Sequence, residues 1–193
     1  MQIFSKNVNS LLVDLEKSNG EFWNIPREVG QLLYFLVRSS EVSKILEIGT
    51  SNGYSGIWLA QALIDNKIPG SMLMTVESHK ERYAMAEENF QKAEVDKVVR
   101  QVMGHAPEVF ETDEGIKAGG FDLIFLDATK KQHLEFLKQG YQLLKPGGLI
   151  IADNVTSHWE VMQHFVDAAE AMPDLKGEVL AVGDGLYIGA KSL

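Results

Sequence analysis

Two carboxylates and an amide stand where apolar runs stop. "FDLIFLD" ends in Asp127, and "GGLIIADN" ends in Asp153 and Asn154. All three are poor strand formers and cost free energy when buried without partners. If the two runs are neighbouring strands, about 4.8 Å apart, their ends converge on one point. That point offers oxygen ligands only, a set suited to a hard divalent ion such as Mg²⁺ or Mn²⁺. Two like charges side by side also call for a cation or a proton. Zinc fits poorly, because the chain has no cysteine to complete a finger-type site with His158 and His164. The alternative is that Asp153 or Asn154 simply caps the helix that follows. Spacing alone leaves both open.

A second constellation is "LEIGTSNGYSG", residues 46–56, which follows one apolar run and opens a helical segment. Gly49 and Gly53 permit a tight turn and close backbone approach to a ligand. The spacing G-x-x-x-G-x-x-G is not G-x-G-x-x-G, and no Gly-Lys-Ser/Thr follows, which disfavours a phosphate cradle. Glu47 puts a negative charge where a pyrophosphate would be repelled and a cationic ligand favoured. Glu77, ending "SMLMTVE", is placed to accept from both hydroxyls of a ribose. A ribose, a positive charge and no phosphates describe S-adenosylmethionine. Each feature alone also reads as an ordinary strand–helix turn or cap; their order on successive strands favours the cofactor.

The elements that must position these residues follow from hydrophobic patterning. Short apolar runs at 44–49, 71–77, 98–104, 121–127 and 147–153 alternate with helix-like segments at 54–66, 79–93, 106–117 and 131–144. This predicts an α/β, Rossmann-like, doubly wound and mostly parallel sheet with helices on both faces. A helix is expected over 158–172, before Pro173. "GEVLAV" and "GLYIGAK" flank Gly183-Asp184-Gly185 and read as an antiparallel C-terminal hairpin, bringing the sheet to seven strands. Upstream, residues 3–17 have helical spacing that "SNGE" breaks, and a second helix starts at Pro26. Ligands in such sheets bind beyond the carboxyl ends of the strands, where Glu47, Gly49, Glu77, Ser78, Gly104, His105, Asp127, Asp153 and Asn154 fall.

Composition narrows the function classes. The 193 residues suit one domain, 1–193, with residues 1–40 as N-terminal helices over the cofactor and acceptor side. The longest apolar stretch, "LLYFLV", is far too short to span a bilayer, and the N-terminus lacks a signal-peptide pattern. A net charge of −9 disfavours a nucleic-acid partner, and the absence of cysteine fits a cytoplasmic protein. A small-molecule partner is expected instead.

"ILEIGTSNGYSGIWLA", "MTVES", "FDLIFLDATK" and "LLKPGGLIIADN" resemble the class I S-adenosylmethionine-dependent O-methyltransferases of the catechol and caffeoyl-CoA type. The likeness runs from about "NIPREVGQLL" to "GDGLYIGAK". It implies methyl transfer to a hydroxyl of a small, aromatic or catechol-like acceptor, assisted by a divalent metal on Asp127, Asp153 and Asn154. It implies that Glu47, Gly49, Thr50, Gly53, Tyr54 and Ser55 line the methionine end of the cofactor. Glu77 would hold the ribose, with Ser78 beside it and Asp127 also within the cofactor set. Gly104, His105 and Ala106 would lie beside the adenine, and Ile25 would meet the cofactor from the entry segment. Lys130 takes the position of a general base on the acceptor hydroxyl, a role that a nearby cation and partial burial would support by favouring its neutral form. A homodimer is implied as well.

The chain departs from that pattern in places. His133 stands where the family often has tyrosine, and His105 where it often has an acidic residue. The stretch after Asn154 is short and lacks the insertion that encloses the acceptor in plant enzymes, leaving Ser157, His158 and Trp159 as candidates for the acceptor wall. His158 is either an acid–base group or a plain surface histidine. Trp23 and Trp159 either stack on an acceptor or pack against protein. Other readings are a metal-independent methyltransferase on another acceptor such as RNA, and a non-catalytic module that binds S-adenosylmethionine.

Overall fold

The computed structural model describes residues 3–17 and 19–193. Met1 and Gln2 of the expected domain span, and Ser18 of the expected break, lie outside the described residues. Along the chain the elements are α1 (Lys6–Lys17), α2 (Asn19–Phe22), α3 (Arg27–Arg38), β1 (Lys44–Ile48), α4 (Tyr54–Asn66), β2 (Met72–Glu77), α5 (Lys80–Lys92) and β3 (Val99–Met103). Then come α6 (Ala106–Thr112), α7 (Glu114–Lys117), β4 (Phe121–Leu126), α8 (His133–Leu143), β5 (Leu144–Ala152), α9 (Trp159–Glu170), β6 (Leu175–Leu180) and β7 (Leu186–Lys191).

The seven strands form one sheet in the order β3-β2-β1-β4-β5-β7-β6. The pairs from β3 to β5 are parallel, and β7 pairs antiparallel with both β5 and β6. The doubly wound expectation therefore holds, with β7 inserted beside β5 and β6 outermost. Strand order reverses between β1 and β4, and that reversal opens a crevice at their carboxyl ends.

Strand alternation sends side chains into two cores. From β1 and β4, Ile45, Leu123 and Phe125 face α1, α3, α4 and α5. Leu46, Ile48, Ile124 and Leu126 face α6 to α9, including Phe110, Phe136 and Phe165. Both faces are covered, which is why these strands read as continuous apolar runs.

Several boundaries differ from expectation. Helix α1 starts at Lys6 rather than 3, α2 occupies most of the stretch expected to break the chain, Pro26 is the cap of α3 rather than its first residue, and β6 is Leu175–Leu180 rather than 177–182. The helix expected over 106–117 is two pieces, because the Asp113 side chain accepts from the backbone N–H groups of Gly115 and Ile116 and starts α7 anew. Asp113 is also held by both terminal nitrogens of Arg100. Strand β5 begins at Leu144 rather than 147. Its register against β4 jumps from Phe121↔Leu144 to Leu123↔Leu149, so the intervening Lys145-Pro146-Gly147-Gly148 bulges. Pro146 has no N–H for the ladder, and Gly147 takes a φ of 77°. Helix α9 ends at Glu170, earlier than 172.

Glu47 is the one charged residue sealed inside β1, with 0% exposure. Its Oε1 accepts from Ser55 Oγ at 2.5 Å and its Oε2 from Thr75 Oγ1 at 2.6 Å. No salt bridge reaches it among the described residues. Burial pushes its carboxyl up to about 7, Asp127 and Glu77 add to the rise, and the two hydroxyls oppose it. A carboxyl raised by folding holds its proton more tightly in the native state. Its stabilising share is complete below the ordinary value of 4.5 and is lost as pH climbs through about 7. The total loss is on the order of 3 kcal/mol. Burial raises the Asp153 carboxyl as well, so the comparison must be with a Glu47 variant. Stability of Glu47→Gln relative to the parent should rise between about pH 5 and about pH 8. Denaturant unfolding at several pH values measures this; parallel curves would remove the proposed burden from Glu47.

Candidate active site

The crevice at the strand reversal holds a cleft of about 950 Å³. Its floor is built where two backbones nearly touch. Gly49 has φ 108°, and a Cβ there would overlap the Asp127 carbonyl oxygen. Gly49 N and Thr50 N both donate to Val76 O, at 3.0 and 3.1 Å, tying the loop to β2. Asp127 N donates to Ile48 O at 2.9 Å, and Asp153 N to Leu126 O at 3.1 Å, extending the ladders one residue past the strands. Asp127 thus sits beside Gly49, with Asp153 next along the rim.

Of the residues expected to bind cofactor, Ile25, Gly49, Thr50, Tyr54, Ser55, Glu77, Ser78, Gly104, His105, Ala106 and Asp127 line this cleft. Lys130 and Asn154 line it too. Glu47, Gly53 and Asp153 are not on its described surface. Glu47 lies beneath the loop, because its strand position points it toward α4. Gly53, with φ 87°, turns the chain into α4 and packs against Phe90 and Ala86. Asp153 is 1% exposed.

Glu77 organises the cleft's entrance loops. Its Oε2 accepts from Ser51 N at 2.8 Å, and its Oε1 from Ser78 N and His79 N at 2.9 and 2.8 Å. Three of its roughly four lone-pair directions are thereby engaged. Tyr54 donates its phenol to Glu16 Oε1 at 2.6 Å, and Arg27 reaches the same oxygen at 2.8 Å, so α1 and α3 are tied to the start of α4. Thr50 and Thr75 share a hydroxyl–hydroxyl bond of 2.5 Å that leads from the cleft to Glu47.

On the opposite wall, Lys130 Nζ is 2.8 Å from Asp127 Oδ1, and both side chains are only about one-sixth exposed. Asp153 Oδ1 is buried without a hydrogen-bond partner. Burial, then the Asp127 charge, pushes the Asp153 carboxyl up to about 7. An unpartnered carboxylate oxygen beside a second carboxylate fits a cation. The capping explanation loses its basis: α9 starts at Trp159 with His158 as the cap residue and no side-chain cap bond. Among the described residues, no three His, Cys, Asp or Glu side chains gather around one point, so a cation there would depend on the Asn154 amide as well as the two aspartates.

Some cleft residues were not singled out from sequence. Ser51, Asn52, His79, Arg82, Thr129, Gln132 and Asp184 all line it. Asp184 is the one with a readable signal, the Gly-Asp-Gly turn between two apolar runs. Trp23 stands at the cleft, 77% exposed with φ 49°, whereas Trp159 is not among the lining residues. His158 lines the cleft, its Nδ1 3.0 Å from Ser157 Oγ. His133 is instead fully buried, packed on Phe136 and Phe165, with Nδ1 3.2 Å from Thr129 O. Burial and the Lys130 charge push it down to about 4, so it is neutral at physiological pH.

Known proteins resemble this chain along nearly its whole length. The sequence model of the O-methyltransferase family matches residues 5–191. A catechol O-methyltransferase of Niastella koreensis is 36% identical over 69% of this chain and 58% of its own length. One of Mycobacterium tuberculosis is 31% identical over 75% of this chain and 62% of its own. The chain thus spans about three-fifths of these two relatives. The crystal structure of an O-methyltransferase from Bacillus cereus in complex with SAH superposes with a TM-score of 0.86 at 26% identity, covering 98% of this chain and 92% of that one. On the family match and these likenesses, the chain belongs to the O-methyltransferase family.

Proposed function

We propose that the protein transfers the methyl group of S-adenosylmethionine to a hydroxyl of a small, aromatic or catechol-like acceptor, with help from a divalent cation. The observation that carries this reading is the Asp127–Lys130 pair on the rim of a cleft floored by the Gly49 loop. S-adenosylmethionine supplies a methyl on a positively charged sulfur, and a divalent ion supplies charge that favours an ionised acceptor oxygen.

The chain's own residues divide the remaining work. Glu77 and the backbone of the 49–55 loop hold and orient the donor, and Glu47 beneath the loop favours a cation above it. Asp127, Asp153 and Asn154 would hold the ion, with the bare Asp153 Oδ1 the group that gains most. Lys130 Nζ lies 2.8 Å from Asp127 Oδ1, on the same rim as these ligands. Freed from that pair, the Lys130 amine is the group placed to take the acceptor's hydroxyl proton. The apolar cleft residues Ile25, Ile48 and Phe136, with Trp23 at the opening, exclude water and offer an aromatic acceptor a surface to lie on. Catalysis is then mainly positioning and charge control. No described helix is long and apolar enough to cross a membrane, and the acidic charge supports a small-molecule partner over nucleic acid. A cytoplasmic homodimer belongs to the same reading.

A metal-independent methyltransferase with the same donor is favoured by one feature: Lys130 already neutralises Asp127. Chelation separates the two. With a vicinal-diol aromatic as acceptor, product detected by mass spectrometry should vanish with EDTA and return with Mg²⁺ or Mn²⁺; undiminished turnover after exhaustive chelation overturns the metal role. Lys130→Ala should lose about 10²–10⁴-fold in turnover while S-adenosylmethionine affinity by calorimetry stays unchanged. Full turnover in that variant would remove Lys130 as the base.

A further inference from the structure

The β6–β7 turn does more than end the sheet. Its tip residue, Asp184, is flanked by Gly183 and Gly185, with φ of 55° and 89°. A Cβ at residue 185 would collide with Thr156, so glycine lets the tip lie flat on the loop that follows β5. The Asp184 carbonyl accepts from Thr156 N at 3.0 Å, Ser157 N at 3.1 Å and Thr156 Oγ1 at 2.7 Å, while Gly185 O accepts from Val155 N at 2.9 Å. Main-chain atoms therefore carry the docking, and the Asp184 side chain is left free for another task.

That side chain reaches the cleft, with Oδ2 3.4 Å from Asn154 Nδ2. Asn154 sits in the left-handed region, φ 63°, which asparagine tolerates better than most residues. An amide group can present either end to a neighbour, but an ionised carboxylate can only accept. Asp184 thus selects the nitrogen end.

We infer that Asp184 is a positioning residue that holds the Asn154 amide by its nitrogen, leaving the amide oxygen as the free end for a divalent cation. This rests on the metal reading of Asp127, Asp153 and Asn154. It adds a residue 30 positions further along the chain whose charge and hydrogen bond both favour the same occupant. The contact is long and exposed, so its effect belongs at the lower end of what such supporting contacts contribute to metal affinity, about tenfold.

The test is Mn²⁺ binding, followed by electron paramagnetic resonance of the free ion, on protein saturated with S-adenosylhomocysteine. Parent, Asp184→Ala and Asp184→Asn are compared, with S-adenosylhomocysteine affinity measured on each by calorimetry. Asp184→Ala should weaken Mn²⁺ about tenfold and leave S-adenosylhomocysteine affinity unchanged. Asp184→Asn still has an oxygen that can accept from Asn154 but can also turn its nitrogen toward it, so it keeps the selection only in part and should weaken Mn²⁺ about threefold. If the parent binds Mn²⁺ and Asp184→Ala binds it equally well, the inference fails while the metal reading stands. Equal weakening in both variants would mean that charge alone acts, and that also overturns the positioning role. No Mn²⁺ binding by the parent brings down both.

Discussion

The working end of this molecule depends on a steric constraint: the backbone at Gly49 passes directly against the carbonyl of Asp127. Any side chain at position 49 would overlap that oxygen. The contact lies at the reversal of strand order, where the loop after β1 and the loop after β4 would otherwise diverge. Because they touch, the Gly49 loop and the Asp127–Lys130 pair share one cleft. Glu77 then stitches the far side of that loop through Ser51, so the loop is held from two strands at once.

Around this contact the protein buries more negative charge than it neutralises. Glu47 lacks a cationic partner among the described residues, and Asp153 keeps one oxygen bare. Both are pushed toward neutrality by burial and by neighbouring carboxylates. Such an arrangement is costly in an empty protein and becomes favourable when positive charge arrives. The proposed function brings two cations, a sulfonium over the Gly49 loop and a divalent ion at the rim. Stability given up in one state is thereby recovered as binding in the other.

The N-terminal helices and the C-terminal turn close the cleft from opposite ends of the chain. Glu16 in α1 meets Tyr54 and Arg27, while Asp184 meets the loop after β5. Neither contact is local in sequence. Both convert the rim of a generic open sheet into a walled site, the first through side chains and the second through main-chain carbonyls.

Local pattern was enough to read the alternating strands and helices, the two-sided burial of "LIFL" and "LIIA", and the polar residues gathered at strand ends. Periodicity and turn chemistry act over a few residues, so these features are written in short windows. Helix breaks such as Asp113 were less legible, because a capping side chain competes with helix continuation by a margin that pattern does not reveal. Only the tertiary structure decided that Glu47 lies under the loop rather than on it, that His133 is a neutral core histidine, and that Asp184 arrives beside Asn154. Those outcomes depend on which strand neighbours which and on the pitch of packed helices, and contacts such as Glu47 with Thr75 or Asn154 with Asp184 leave no periodic trace. The sequence determined the fold and the place where chemistry would gather; the three-dimensional packing determined which carboxylates are exposed to a ligand, which are sealed away, and which one turns the amide of Asn154.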